Sequence, residues 1–174
     1  MKKFLPILVI FSLALIFPYY SLARVTPEDI VNSQKETFES KIKNYSLENQ
    51  NKIKSLVAKI ETINKQRTQE LELIVQTQGL ILDEYVRRNN IQEDGGKDGI
   101  HRSNDPVAVV RIEITRAHEA VAYQAAKNYI PSLTSESNMK SNLLNLINKL
   151  EYELNSARSQ VIKSQNILKG VISE

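Results

Sequence analysis

The chain contains no cysteine and no tryptophan, and only five glycines and five prolines among 174 residues. Without cysteine there is neither a disulfide nor a thiolate metal site, so stability has to come from apolar packing alone. Beyond residue 23 the aromatic side chains are Phe38, Tyr45, Tyr85, Tyr123, Tyr129 and Tyr152. So few rings, beside abundant Leu, Ile, Val and Ala, suit long paired helices better than a globule packed around large aromatic residues. A charge excess of one sign is missing as well. Twenty-three basic residues face 20 acidic ones, and the net +3 falls to +1 once Lys2 and Lys3 are set aside. A nucleic-acid partner is therefore not expected. Gly-rich phosphate loops and nucleophile elbows are also absent, and a Ser/His/Asp triad would have to use one of only two histidines. These absences predict a protein that is not an enzyme and needs no cofactor.

What is present begins at the N-terminus. Lys2 and Lys3 precede an apolar run from Phe4 to Phe17, which Pro18 breaks. Ser21, Leu22 and Ala23 then place small residues where a signal peptidase needs them, so residues 1–23 read as a secretory signal cleaved after Ala23. The rival reading is an uncleaved anchor over residues 4–22, which would be the only route to a membrane. Either way the protein is expected to be exported and extracytoplasmic. Residues 24–174 are then expected to form a single helical domain.

Prolines mark the helix starts. In "VTPED", Thr26 is the expected cap, with Pro27 at the first helical position and Glu28 and Asp29 in the positive first turn. Asp105 and Pro106 repeat the device. Pro131, with Ser132 or Thr134 as caps, predicts a last helix over 132–171 that Lys169 and Gly170 stop. The first helical stretch covers 27–91, with a kink near residue 45 where Ser46 can cap a new helix. The middle helix covers 106–130, and a loop fills 92–105.

Apolar spacing supplies the seams. In the first stretch Ile53, Leu56, Ile60 and Ile63 alternate by three and four, as in a coiled coil. Continued as a strict heptad, the row would place Arg67 and Glu70 inside. One extra step instead brings Leu71, Ile74, Ile81 and Tyr85 into register, an eleven-residue stutter from Ile60. Leu143, Ile147, Leu150 and Leu154 begin the seam of the last helix, and Val110, Ile114, Ala117 and Val121 that of the middle one. The 65 residues from Pro27 to Ile91 and the 66 from Pro106 to Val171 match in length. These features predict an all-α fold, a long antiparallel helical hairpin of coiled-coil type with its return arm broken near Pro131. A three- or four-helix bundle, with the last two helices folded back on each other, is the alternative.

The glycine cluster "EDGGKDGIHRSND" alternates acids and glycines as calcium loops do. With Asp94 first, Asp98 is fifth and Gly99 sixth, but Gly96 offers no ligand at the third position and Asp105 is too short at the twelfth. It therefore reads as a hairpin tip turned by Gly95, Gly96 and Gly99. His118 has no acid or histidine four residues away to complete a helical zinc pair. His118, Asp94 and Asp98 remain the weak metal candidates of a chain expected to hold no metal.

In plan the chain resembles periplasmic holdase chaperones with helical tentacles and helical components of bacterial surface machines. That architectural resemblance carries no residue across. Apolar seams that pair within the hairpin or between copies, beside polar faces, predict a structural spacer or protein–protein interaction module, with a protein partner or self-association. A holdase that grips unfolded clients is the alternative, and a small-ligand or metal-binding bundle near His118 and Tyr123 the third. Leu150→Glu should melt the last helix by placing a charge in its seam, at a cost of several kcal/mol. An unchanged melting temperature would contradict that face assignment.

Overall fold

The computed structural model describes residues 27–91 and 105–173. The proposed signal, Asp94, Asp98, His101 and the tip glycines Gly95, Gly96 and Gly99 lie outside them. Among the described residues the fold is all-α, with α1 (Pro27–Ile42), α2 (Leu47–Arg88), α3 (Pro106–Ala125) and α4 (Met139–Ile172).

The first stretch breaks where its polar seam weakens. Ser46 caps α2 by accepting from the Asn49 N–H at 3.4 Å. At the other end of α2, Asn90 takes a left-handed conformation with φ 50°. The N–H groups of Asn90 and Ile91 then reach back to the carbonyls of Arg87 and Val86, at 3.4 and 3.1 Å. That is the glycine-type helix stop with asparagine in the glycine place. Gly79 does not interrupt α2, and nothing lies within 4 Å of where its Cβ would be.

Four apolar clusters, stacked along the molecule, show how the elements run. Phe38, Ile42, Ile53, Leu133 and Leu143 close one end. Ile60, Tyr129, Leu146 and Leu150 come next, followed by Val75, Ala117, Val121 and Val161. Leu82, Val107, Val110 and Leu168 close the other end. Thus α2 and α4 run parallel, and α3 with the segment after it returns between those ends. α2, α3 and α4 pack pairwise against one another. The break near Pro131 is common to both arrangements foreseen, and the packing of α3 on α4 is the contact that the folded-back one requires.

The break is longer than the proline alone predicts. α3 ends at Ala125 rather than 130, and α4 starts at Met139 rather than 132. Pro131 lacks an N–H and disfavours helix at Ile130. Ser132, Thr134, Ser135 and Ser137 follow, residues whose side chains compete for backbone groups. Tyr129 and Leu133 are both about 1% exposed, and their burial holds the segment off the helical path. Ser132 and Thr134 are not caps; Asn138 stands at that position and makes no side-chain cap bond. Gly170 does not stop α4, which runs on to Ile172.

The stutter in α2 is present, but polar residues fill it. Asn64, Thr68, Gln78 and Ser164 are buried, and among the described residues no buried side-chain polar atom lacks a partner. Asn64 and Gln124 bond reciprocally, since the Asn64 amide donates to the Gln124 carbonyl at 3.1 Å and the Gln124 amide to Asn64 Oδ1 at 2.9 Å. Between α2 and α4, Gln78 donates to the Val161 carbonyl at 3.1 Å and accepts from Ser164 Oγ at 2.6 Å. Sliding either helix by a turn would strand these groups, at roughly 1–3 kcal/mol each. Ile63 is therefore outside the seam within the chain. It is 44% exposed, one residue short of the inward place that Asn64 holds. Ile74 and Ile81 are likewise displaced outward by Val75 and Leu82.

A carboxylate ties the α1–α2 turn to the segment before α4. Glu136 Oε1 accepts from Asn49 Nδ2 at 2.6 Å and from the backbone N–H and hydroxyl of Ser46 at 3.0 and 2.9 Å. The Asn49 bond first, then the Ser46 bonds, hold the Glu136 pKa below the ordinary 4.5. A carboxyl whose folded pKa is depressed stabilises above its unfolded value and ceases to as pH falls through the folded one. The stability difference between parent and Glu136→Gln should therefore hold constant from neutral pH to about pH 5 and shrink below it. A difference independent of pH would show that the ionised latch contributes nothing.

Candidate interaction surface

α3 covers one side of the α2–α4 pair. On the other side α2 presents a second row of residues: Leu56, Ile63, Arg67, Glu70, Ile74 and Ile81. It keeps the strict heptad that the buried row abandons. α4 contributes Ile147, Leu150, Glu151, Leu154 and Arg158 from across the gap. Together they line a groove of about 730 Å³. Ile74 also lines a second hollow of about 310 Å³, which reaches Ile81, Lys169 and Ile172. Ile81 and Ile172 lead into a third hollow, beside Leu80 and Tyr85. The result is a discontinuous trough along most of α2.

Its floor is aliphatic and its rim is charged with both signs. Ile63, Ile74 and Ile81 are 44, 42 and 43% exposed, a uniform half-burial along one row. Leu73 and Leu80 add exposed apolar area beside it. Arg67 and Glu70 pair within α2 at 2.8 Å, an exposed bridge worth about 0.2–1 kcal/mol. Glu151 and Arg158 sit two turns apart on α4, and neither has an ion-pair partner among the described residues. Covering each half-exposed isoleucine would contribute roughly 1 kcal/mol. Chemically, the trough can take an amphipathic surface whose charges alternate as its own do.

Of the seam residues foreseen, Ile53, Ile60, Leu143 and Leu150 are buried, whereas Leu56, Ile147 and Leu154 are half-buried at the junction of core and trough. His118 and Tyr123 do not form a pocket floor. The His118 side chain is 54% exposed with Nδ1 2.9 Å from Glu72 Oε1, and Tyr123 is 71% exposed beneath the Lys127 ammonium, 4.9 Å from its ring centre. Among the described residues no three His, Cys, Asp or Glu side chains are placed to share a metal ion. Arg87 and Arg88 are both engaged by Glu84, which they hold down at a pKa of about 2.

Two ionic groups, one buried and one half-buried, link the elements behind the trough. Glu113 of α3 meets Lys163 of α4 at 2.9 Å and Arg116 at 2.6 Å, with Lys163 the larger cause of its lowered pKa. Burial works to raise Glu153, but the Tyr129 hydroxyl at 2.7 Å and Lys127 at 3.2 Å outweigh it and leave the pKa lowered. Burial first, and then Glu153, raises the Tyr129 phenol. Both groups are saturated with partners and act as cross-braces.

Sequence reasoning placed Ile63, Ile74 and Ile81 inside because it sought apolar residues for the core. The signal that could have found the trough was the heptad itself, which continues through Arg67 and Glu70 without a slip. No protein family matches this chain, and neither a curated protein nor a solved structure is detectably similar to it.

Proposed function

We propose that the chain is an exported, non-enzymatic helical interaction module, a spacer whose contacts are made through the α2–α4 face. The observation that carries this reading is the row of half-exposed isoleucines, Ile63, Ile74 and Ile81, held on a regular heptad beside alternating charges. Large apolar side chains scattered singly on a surface need no explanation, but a row of them at one helical spacing, interleaved with charge, marks a contact surface. Further support comes from the braces described above. With Glu113, Glu153 and the buried amides all satisfied internally, the binding capacity left over is apolar and superficial.

Export is supported by the order of basic, apolar and small residues over 1–23, and by the absence of cysteine in a chain so directed. Among the described residues no helix is long and apolar enough to cross a membrane. The exported species should begin at Arg24 when its N-terminus is sequenced.

The docking face is tested by Ile63→Lys combined with Ile74→Lys. Both side chains lie outside the core, so the helical circular dichroism and the melting temperature should stay near the parent's, within about 0.5 kcal/mol per site. Fluorescence of an apolar-surface dye on dilute protein should fall to background. Undiminished dye binding would sink the reading. Suppression of client aggregation by the native protein, lost in the same variant, would turn it into the holdase alternative.

A further inference from the structure

We infer that the α2–α4 face binds a second copy of this chain, antiparallel, across a two-fold axis passing between Thr68 and Gln69 of α2 and between Leu154 and Asn155 of α4. The inference rests on the α2–α4 face being the docking surface, and it names the occupant.

The argument is a symmetry in the residues that line the trough. A face-to-face pair whose two-fold axis lies across the helices sets each helix over its own copy, running the other way. Each residue then meets the one equally far beyond the axis. About the Thr68–Gln69 midpoint, Ile63 falls opposite Ile74 and Leu56 opposite Ile81, so apolar meets apolar in both cases. In the same register Arg67 falls opposite Glu70. About the Leu154–Asn155 midpoint of α4, Glu151 falls opposite Arg158, and Ile147 opposite Ile162, which is 44% exposed.

These two midpoints lie at one height, as a single axis demands. Gln78 bonds Ser164, 86 residues on, and stepping back ten residues along each parallel helix brings Thr68 beside Leu154 and Gln69 beside Asn155. Val75 with Val161 and Leu82 with Leu168 keep the same offset in the core. Nothing in the packing of α2 on α4 requires their outer charges to be centred at the same level.

Charge completes the match. Glu151 and Arg158 are seven residues apart on α4, about 10 Å along its axis, too far for an ion pair within one chain. The second copy supplies each with its opposite, twice over. Arg67 and Glu70 can keep their bridge within α2 and add the bridge across the axis, which makes four alternating charges at the centre of the contact. On the wall of the main groove the remaining basic residue, Lys59, falls level with the buried Gln78 and meets no like charge, whereas Lys169 of the second hollow falls level with Lys140 near the ends of the contact.

Sedimentation of the purified exported protein across a concentration series should give the mass of a dimer. Arg67→Glu puts two glutamates opposite each other on both sides of the axis and should weaken dimerisation by at least about tenfold. Arg67→Glu with Glu70→Arg should restore it, while circular dichroism stays unchanged in all three proteins. Because the chain has no cysteine, register can be read directly. Oxidised mixtures of Ile63→Cys and Ile74→Cys chains should cross-link to each other and neither to itself, since like positions would stand about 16 Å apart, beyond disulfide reach. A dimer indifferent to Arg67→Glu, or one in which Ile63→Cys links to itself, would overturn the inference. So would a monomer at every concentration. A monomer whose dye binding is lost on Ile63→Lys with Ile74→Lys would leave the docking face standing for another partner, whereas a monomer that never binds the dye would remove both.

Discussion

The carboxamide of Gln78 is gripped from α4 on both its atoms, the nitrogen by the Val161 carbonyl and the oxygen by the Ser164 hydroxyl. Aliphatic clusters alone would let two parallel helices slide, because one Leu or Val can replace another with little loss. A buried amide does not slide, because a turn's displacement leaves it without partners. This one contact sets the height of α4 against α2. The order of the four clusters follows from it, and so does the level at which the outer charges of the two helices stand. Asn64 and Gln124 do the same for α2 and the end of α3.

Lower in the molecule α3 is replaced by residues 126–138, which carry no helix. Tyr129 stands beside Ile60 and Leu133 beside Ile53, so four residues descend the height that takes α2 seven, about 10 Å. The chain can do this because the two side chains enter the core as plugs. α1 flanks the same segment, with Thr37 and Phe38 near Asn128 and Pro131. The Tyr129 hydroxyl donates to Glu153 and accepts from Gln124, so the end of α3, the descending segment and α4 meet at one phenol. Together with the Glu136 latch, these contacts give irregular backbone a defined path.

The starts of α1, α2 and α3 were legible in the sequence, and for a local reason; that of α4 was not. Pro27, Asp105 with Pro106, and Ser46 act through their own backbone geometry and hydrogen bonds within a few residues. The all-α class followed from periodicity. The length of the break was not legible, since what holds 126–138 off the helical path is the burial of Tyr129 and Leu133 against residues more than sixty positions away. The choice of core face failed at Ile63, Ile74 and Ile81 on similar grounds. Hydrophobicity ranks isoleucine above asparagine and glutamine for the interior. Once Gln124 and Ser164 arrive as partners, Asn64 and Gln78 are no longer costly to bury. The eleven-residue interval from Ile60 to Leu71 was readable, and the polar occupants of that interval were not.

One residue added within α3 or α4 would turn every later side chain by about 100° and send a buried face outward. The backbone around Ser135 and Ser137 is under no such rule, for their hydroxyls bond each other at 2.9 Å and no helical ladder passes through them. An extra residue there has only to be taken up between Leu133 and Met139, on either side of the Glu136 latch. Among the described residues this short stretch therefore takes up a change in chain length that α3 and α4 on either side of it do not. Across diverging descendants of this chain, insertions should collect at that point while the spacing within each long helix stays constant.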